Sequence, residues 1–297
     1  MTPGPGWERA LERAARSPVT LLLGAVDSGK TVLATFLANG LLERGLRVGV
    51  VDADLGQSEI GPPTTIGLGR IRHELERLGD AELRGLFFVG VPSPPGHLRS
   101  TVTGTRKMVD RAAALGLERV LVDTSGLVEG ELGRTLKQHK IDLLDPDLVI
   151  CLARAQECEP ILELYGRRRR PEILRLAVSA LARKRSAAER QRHRARSFEA
   201  YFHDATMLRI PLGAVALSRM GDRPDPGALP LSGGDESPGL LVGLDDRAGE
   251  TLGLGVLRQV DLAGRALLVD TPIPGGLVTG VRLGRYALDL LASPVIA

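Results

Sequence analysis

Several residue types are scarce in this 297-residue chain, and each scarcity excludes a class of protein. Only two cysteines occur, Cys151 and Cys158, and no histidine cluster accompanies them, which argues against a disulfide framework and against a structural zinc site. The longest apolar run near the start, Val19–Val26, is far shorter than the ~20 residues that a membrane span needs. The first seventeen residues lack the apolar core of a secretory signal. We therefore expect a cytoplasmic protein that does not bind a membrane.

Lysine is rare and arginine abundant, with five lysines against 34 arginines. The remaining composition, 43% hydrophobic and 25% charged, is that of a globular protein. The charge is unevenly distributed. Between Gly166 and Arg196 twelve basic residues stand against two acids, a local net charge of +10 in a chain whose net charge is +3. This basic block predicts contact with a polyanion, and a solvated basic helix is the alternative.

The first two-thirds of the chain alternate apolar runs with amphipathic segments, which indicates an α/β fold with a mostly parallel sheet covered by helices. The predicted strands are Val19–Leu23, Arg47–Asp52, Leu86–Val91, Arg119–Asp123 and, as the last strong one, Leu148–Leu152. The predicted helices are Lys30–Glu43, the segment from Leu98 to about Leu115, and Glu131–Lys140. Residues 57–84 interrupt this alternation, and we expect them to form an insertion with a charged helix at the carboxyl edge of the sheet.

The sequence pattern changes from about Met207, where short apolar runs recur between Gly, Pro and Asp residues. This pattern predicts a small β-rich domain. Pro224–Gly239 is expected to be a flexible loop within it. We therefore divide the chain into an N-terminal tail and helix (1–17), an α/β domain (18–206) and a β-rich domain (207–297).

A phosphate-binding motif follows the first predicted strand. The segment GAVDSGKT fits G-x-x-x-x-G-K-[ST] and lies between a strand and a helix, as this motif requires. Its backbone N–H groups and the helix N-terminus would surround a phosphate, Lys30 would reach the β- and γ-phosphates, and Thr31 would bind Mg²⁺. The predicted nucleotide-binding residues are Gly24, Asp27, Ser28, Gly29, Lys30, Thr31 and Val32.

Acidic residues end two other predicted strands. Asp52 and Asp54 follow the second strand, and Asp123 ends the strand Arg119–Asp123. In an open parallel sheet these strand ends face the same crevice as the phosphate loop. One acid would hold Mg²⁺ and another would orient or deprotonate a nucleophile. A helix cap is the alternative for each acid alone.

A switch-type GTPase is disfavoured by the single asparagine, Asn39, which lies inside a predicted helix. Such an enzyme reads guanine with an N-K-x-D motif. The nearest substitute, Lys140-Ile141-Asp142, lies in a helical segment and does not follow a strand.

Taken together, the motifs resemble the polynucleotide 5′-hydroxyl kinases, which include the RNA kinase of the pre-mRNA cleavage complex, the nucleolar pre-rRNA kinase and archaeal enzymes. The resemblance covers residues 18–202 closely and the β-rich part loosely. Its elements here, in chain order, are Gly24–Thr31, the D-x-D-x-G-Q block Asp52–Gln57, Gly90–Gly96, DTSGLVEG at Asp123–Gly130, and the set Leu136, Lys137, Lys140, Ile141 and Pro146.

The resemblance also covers the basic block. The family has a mobile lid with an R-S pair, an R-x-x-x-R pair and an aromatic pair, which match Arg185-Ser186, Arg190 with Arg194, and Tyr201-Phe202. The lid is expected at about 180–200. Closing arginines would stabilise charge on a transferring phosphoryl group, and one helical turn between the two lets both face the site. Arg167–Arg170 would only attract the nucleic-acid backbone.

The resemblance implies a P-loop kinase that uses ATP, or GTP, with Mg²⁺ and phosphorylates the 5′-OH end of an oligonucleotide, RNA first and DNA second. The implied catalytic residues are Lys30, Asp54, Arg190 and Arg194, with Thr31, Asp52 and Asp123 around the metal. The implied substrate-binding residues are Gln57, Thr124, Ser125, Gly126 and Leu127.

Two features depart from the family pattern. Leu127 stands where many members have a tryptophan that is implied to clamp the substrate base, and leucine cannot stack in that way. The larger members also carry an N-terminal β domain, whereas only about seventeen residues precede the first strand here.

Two alternatives to an active kinase remain open. A scaffold of an RNA-processing complex could keep the phosphate loop after losing catalysis. A partitioning or metallochaperone ATPase could share the topology, although it would show a Cys/His metal site or a second early lysine in the loop.

Overall fold

The computed structural model describes residues 4–180, 182–220 and 239–288. These residues form six helices: Trp7–Ala14 (α1), Lys30–Glu43 (α2), Leu98–Ala114 (α3), Gly130–Leu144 (α4), Glu159–Leu162 (α5) and Ala187–Tyr201 (α6). The strands of the first sheet are Val19–Gly24 (β1), Val48–Ala53 (β2), Thr65–Arg70 (β3), Glu82–Phe88 (β4), Arg119–Thr124 (β5), Leu148–Ala153 (β6) and Glu172–Ala177 (β7). Those of the second are Thr206–Pro211 (β8), Ala216–Arg219 (β9), Leu240–Asp245 (β10), Thr251–Asp261 (β11), Ala266–Thr271 (β12) and Gly280–Ala287 (β13).

The first sheet has the order β4-β3-β2-β5-β1-β6-β7. Strand β3 runs antiparallel to both of its neighbours, and every other neighbouring pair is parallel. The predicted α/β fold with a mostly parallel sheet is therefore confirmed. Strands β1, β2 and β5 are adjacent, so the turns after them meet at the carboxyl edge of the sheet.

Helices cover both faces of this sheet, which explains the nearly continuous apolar strands. Along β1, Leu21 and Leu23 pack in the core under α3 and α4, whereas Leu22 packs in the core under α1 and α2. All three leucines have no exposed surface. Burying a side chain of this size contributes roughly 1.5–3 kcal/mol, so β1 is firmly held directly before the phosphate turn.

The expectation for residues 57–84 was wrong. This segment supplies β3 and the start of β4 to the sheet and contains only a single 3₁₀ turn, Leu78–Asp80. The strand predicted at Leu86–Val91 begins earlier, at Glu82, and ends at Phe88. Strand β3 was not predicted because glycines interrupt its apolar pattern. Gly67 leaves room for a backbone crossing, since a Cβ there would lie 1.9 Å from the Ile60 carbonyl oxygen.

A further strand was missed inside the basic block. Strand β7 pairs in parallel with β6, so Leu148–Leu152 is not the last strand of the sheet. Its side chains alternate between exposed charges and the buried pair Leu174 and Leu176, the pattern of an edge strand. The neighbouring arginines conceal that pattern in the sequence.

The second sheet has the order β8-β12-β11-β10-β13-β9, and the predicted β-rich C-terminal part is confirmed. It packs on the first sheet through Phe88, which shares a buried cluster with Phe198, Leu254 and Val256. The domain boundaries themselves stay a prediction. Most of the predicted loop Pro224–Gly239 falls outside the described residues. Among the residues that are described, no helix is long and apolar enough to cross a membrane.

Candidate active site

The turn between β1 and α2 is shaped by two glycines. Gly29 has φ +90° and Gly24 has φ +157°, both within the range that side chains rarely adopt. A Cβ on Gly24 would also lie 2.5 Å from the Leu152 carbonyl oxygen and 2.7 Å from Ser28 Oγ. The turn therefore curls tightly, and its N–H groups and the N-terminus of α2 surround a space suited to phosphate oxygens.

Lys30 lies at the start of α2, and only 7% of its surface is exposed. Its Nζ donates to the Ala25 carbonyl oxygen at 2.8 Å and to Ser28 Oγ at 3.4 Å. These contacts hold the ammonium group over the phosphate turn. Val32, the last of the predicted nucleotide-binding residues, has a side chain that is 47% exposed.

Thr31 and Asp123 meet across the site, because β5 lies beside β1. Thr31 Oγ1 donates to Asp123 Oδ2 at 2.7 Å. Asp123 Oδ1 is buried and has no hydrogen-bond partner among the described residues. Burial raises the pKa of Asp123, and Lys30 and the bond from Thr31 oppose that rise. A hydroxyl beside an unpartnered carboxylate oxygen fits Mg²⁺, which prefers oxygen ligands.

Asp52 pairs in register with Asp123 at the carboxyl ends of β2 and β5. Its Oδ1 accepts from the Asp54 N–H at 3.0 Å, and its Oδ2 accepts from the N–H groups of Glu59 and Ile60 at 2.7 and 3.1 Å. Burial and the nearby Asp123 raise the pKa of Asp52 to about 8. With both oxygens accepting from backbone, this carboxyl group shapes the loop over residues 54–60.

Asp54 lies on that loop and is half-buried. Its Oδ1 accepts from the N–H groups of Gly56 and Gln57, each at 3.1 Å, whereas its Oδ2 accepts no hydrogen bond from the described residues. Arg194 lies on the same side of the loop. A Cβ on Gly56 would be 3.8 Å from Asp54 Oδ1 and 3.9 Å from Arg194 Nη1. Asp54 thus presents one carboxylate oxygen without a partner among the described residues, on a loop that Arg194 approaches at Gly56.

Helix α6, the lid helix, begins with a capping box in which Ser186 Oγ accepts from the Glu189 N–H at 3.1 Å. The helix is tied to both loops of the site. Arg190 Nη1 lies 3.5 Å from Asp27 Oδ2 in the phosphate turn. Gln57 Nε2 donates to the Arg190 carbonyl oxygen at 3.1 Å. Asp27 and Gln57, predicted to contact nucleotide and substrate, therefore hold the lid helix in this structure.

The Thr124–Leu127 turn after β5 rests on a buried lysine. Lys137, on α4, has no exposed surface, and its Nζ donates to Thr124 Oγ1 at 2.8 Å and to the Ser125 carbonyl oxygen at 2.5 Å. Thr124 Oγ1 in turn donates to the Leu22 carbonyl oxygen at 2.8 Å. The side chain of Thr124 thus points into the protein. Burial and the nearby Lys140 lower the pKa of Lys137.

Gly126 of this turn packs against the phosphate loop, since a Cβ there would lie 2.5 Å from the backbone of Val26. Leu127 is half-buried beside it. Of the four residues predicted to bind substrate in this turn, the structure leaves the Gly126 backbone and the Leu127 side chain nearest to the surface.

Residues 24–204 match the family model described as the mRNA cleavage and polyadenylation factor CLP1 P-loop. The chain belongs to this family. Its curated relatives include polyribonucleotide 5′-hydroxyl-kinases of Methanocaldococcus jannaschii, 29% identical over 91% of this chain and 86% of the relative, and of Pyrococcus abyssi, 28% identical over 93% and 89%. The resemblance predicted from the motifs is therefore confirmed.

Solved structures of Clp1p with Pcf11p have the same fold as this member of the CLP1 P-loop family. Two of them cover 94% of this chain, with TM-scores of 0.70 and 0.72 at 15% identity, and this chain covers 77% and 78% of theirs. The P-loop fold makes this chain a nucleotide-binding protein.

The basic block of this CLP1 P-loop chain is divided between two ends of the fold. Arg190 and Arg194 lie at the carboxyl edge of the first sheet, whereas Arg168 and Arg170 lie near its amino edge. Arg170 Nη2 is 3.0 Å from Asp147, just before β6, and Arg168 Nη1 is 3.5 Å from Asp142. Attraction of the nucleic-acid backbone by Arg167–Arg170 stays a prediction, and Arg168 and Arg170 lie at the opposite edge of the sheet from Arg190 and Arg194.

Two residues that support the turns of the site, Lys137 and Arg154, had no role assigned from the sequence. Lys137 was noted only as part of a motif, although a lysine on the buried face of an amphipathic helix is itself a signal. Arg154 donates from Nη2 to the Asp27 carbonyl oxygen at 2.8 Å and so supports the phosphate turn from the loop after β6. Nothing in the local sequence around Arg154 marks this long-range contact.

Proposed function

We propose that this protein is a polynucleotide 5′-hydroxyl kinase that transfers the γ-phosphate of ATP to the 5′-OH end of RNA. The observation that carries the proposal is the path of the lid helix, from Asp27 in the phosphate turn to the loop that bears Asp54. A phosphate site, a carboxylate and two arginines thereby share one crevice. The curated relatives named as polyribonucleotide 5′-hydroxyl kinases support the same reaction.

The donor side would hold ATP, with GTP as a second candidate, on the N–H groups of the phosphate turn and on Lys30. Thr31 and Asp123 would hold Mg²⁺, because their oxygens meet at 2.7 Å and one Asp123 oxygen is unpartnered among the described residues. The metal ion, when bound, supplies positive charge to the β- and γ-phosphates. We assign Asp52 to shaping the neighbouring loop, since backbone N–H groups occupy both of its oxygens.

On the acceptor side the free Oδ2 of Asp54 would take the proton of the 5′-OH. The 5′-oxygen then forms a bond to the γ-phosphorus while the bond from that phosphorus to the bridging oxygen breaks, and ADP leaves. Arg190 and Arg194 would contact the transferring group, where a guanidinium group can bind two oxygens at once. Leu127 would lie against the acceptor with apolar contact only, because it has no ring to stack.

The test supplies ATP labelled on the γ-phosphate together with RNA that carries either a 5′-OH or a 5′-phosphate. We expect label on the 5′-OH RNA alone. Release of labelled free phosphate, with none on RNA, would identify an ATPase of the partitioning type. Nucleotide binding with neither product would identify a scaffold. Matched DNA oligonucleotides and GTP in the same assay rank the acceptors and donors.

A further inference from the structure

A cavity of about 330 Å³ lies beside the lid helix, outside the residues assigned to catalysis. One wall is the segment over residues 58–62 that follows the Asp54 loop, and the other is a face of α6 formed by His193, Ser197 and Ala200. Arg77 and Leu83 line its outer side. This volume is at the lower end of the range for small-molecule sites and suits a single nucleoside unit.

The order of the strands places this cavity beyond the acceptor site. The phosphate turn follows β1 and Asp54 follows β2. The cavity lies further along the same strand order, between the segment that leads from the Asp54 loop to β3 and Leu83 of β4. In-line transfer puts the attacking 5′-oxygen on the side of the γ-phosphorus opposite the leaving ADP. An acceptor strand that starts near Asp54 therefore continues away from the phosphate turn and toward the cavity.

The walls of the cavity combine apolar side chains with a polar atom that has no hydrogen-bond partner among the described residues. Pro62, Leu83 and Ala200 supply the apolar surface. The Tyr201 ring is held in place because its hydroxyl accepts from the Leu254 N–H at 2.7 Å. His193 Nε2 is buried and has no hydrogen-bond partner among the described residues. Burial lowers the pKa of His193, so its neutral ring can donate or accept one hydrogen bond to an uncharged ligand.

Charge at the cavity suits a nucleotide as well. The Glu59 carboxylate lines the cavity and forms no hydrogen bond or ion pair with the described residues, so it can accept from an exocyclic amino group. The Arg77 side chain is 74% exposed at the mouth and is paired only loosely, with 3.5 Å between Nε and Asp80 Oδ1. A guanidinium group in that position can bind a phosphodiester.

We propose that this cavity receives the base of the second nucleotide of the acceptor strand, counted from its 5′ end. The proposal rests on the proposed function, because it takes the direction of the strand from the position of the 5′-OH. Base contact of this kind is tolerant of sequence, since every base has a flat face.

The experiment compares two tetranucleotides with a 5′-OH, one complete and one abasic at the second position. Both kcat/KM for transfer and the Kd of each oligonucleotide, by fluorescence anisotropy, are measured. We expect the wild type to favour the complete strand by about tenfold in both quantities. Ala200→Phe, which fills the cavity from an exposed position on α6, removes that preference. Ala195→Phe keeps it, because Ala195 is exposed on another face of the same helix.

Equal treatment of the two strands by the wild type would overturn the proposal, and so would equal loss of preference in both phenylalanine variants. Failure of the proposed function gives a different result. The wild type would then transfer phosphate to neither strand, while its two Kd values still report whether a second base is bound. His193→Ala provides an independent variant and should reduce the preference without abolishing transfer to the abasic strand.

Discussion

The donor side and the acceptor side of the crevice are built differently. On the donor side, Lys30 and Ser28 are buried and the turn is closed by its own hydrogen bonds. On the proposed acceptor side, Asp54 and Gln57 are half-buried. The lid helix contacts their loop through the Gln57 amide, and the half-buried Arg194 lies beside Gly56. The fold itself therefore forms the phosphate turn, whereas the proposed acceptor site needs α6 to lie over the Asp54 loop.

The largest loss of turnover should come from a substitution in the phosphate turn, on the donor side. We expect Lys30→Ala to lower kcat for transfer by at least about 10³-fold, because it removes the charge over the transferring phosphate. Binding of a 5′-OH oligonucleotide, followed by anisotropy, should persist. Lys107→Ala is the matched control, since this exposed lysine of α3 contacts the Phe87 ring of β4 and lies away from the turn. Unchanged turnover in Lys30→Ala would refute the donor assignment.

The next effect tests the proton acceptor. We expect Asp54→Asn to lower kcat by about 10²-fold or more, since general bases contribute roughly this much. The asparagine oxygen can still accept from the N–H groups of Gly56 and Gln57, so the loop should keep its shape. Affinity for ATP with Mg²⁺, measured by calorimetry, should change little. A loss of that affinity with turnover retained would instead place Asp54 at the metal.

A smaller effect distinguishes the arginines of the lid from those at the amino edge. Arg190→Lys and Arg194→Lys should each cost nearly as much turnover as replacement by alanine, because lysine keeps the charge but loses the two-pronged contact. Lysine at each of Arg167–Arg170 should be almost silent. Turnover of all six variants at one salt concentration is the measurement. Equal tolerance throughout would reduce the lid arginines to a general polyanion patch.

The smallest effect concerns stability behind the site. Lys140 has no exposed surface and no hydrogen-bond partner among the described residues, and burial lowers its pKa to about 8. The folded protein thus binds the Lys140 ammonium proton less tightly than the unfolded chain does. The free-energy cost of burying the charged amine is therefore complete at pH 7, and it decreases as pH rises from about 8 to 10.5.

We therefore expect Lys140→Met to raise the free energy of unfolding at pH 7 by about 1–3 kcal/mol and to leave it nearly unchanged at pH 10. Denaturant titrations of both proteins at the two pH values provide the comparison. Lys137→Met should behave oppositely and destabilise, because it leaves Thr124 and Ser125 without their donor. Destabilisation by Lys140→Met at pH 7 would mean that attraction to the nearby carboxylates outweighs the burial of the amine.

The sequence was most informative where chemistry needs adjacent residues. The phosphate turn, the acids at the ends of β2 and β5, and the R-x-x-x-R pair of α6 all appear as short motifs. Strand β3 was missed because its glycines weaken the strand pattern, and β7 was missed because it lies within the arginine-rich block, which resembles a surface segment. The contact of Arg154 with the Asp27 carbonyl oxygen depends on the packing of whole elements and leaves no local trace in the sequence.

The anchoring of the lid helix decides how it can move. Phe198 and Tyr201, at its C-terminal end, pack in the cluster that joins the two sheets, whereas Arg190, near its N-terminal end, is held by polar contacts with Asp27 and Gln57. A rigid helix that is fixed at its C-terminal end can only rotate about that end. With a rise of ~1.5 Å per residue, Arg194 lies ~6 Å and Arg190 ~12 Å from Phe198. Any rotation of the lid helix therefore moves Arg190 about twice as far as Arg194. Of these two arginines, Arg194 is the one whose position depends less on the angle of the helix.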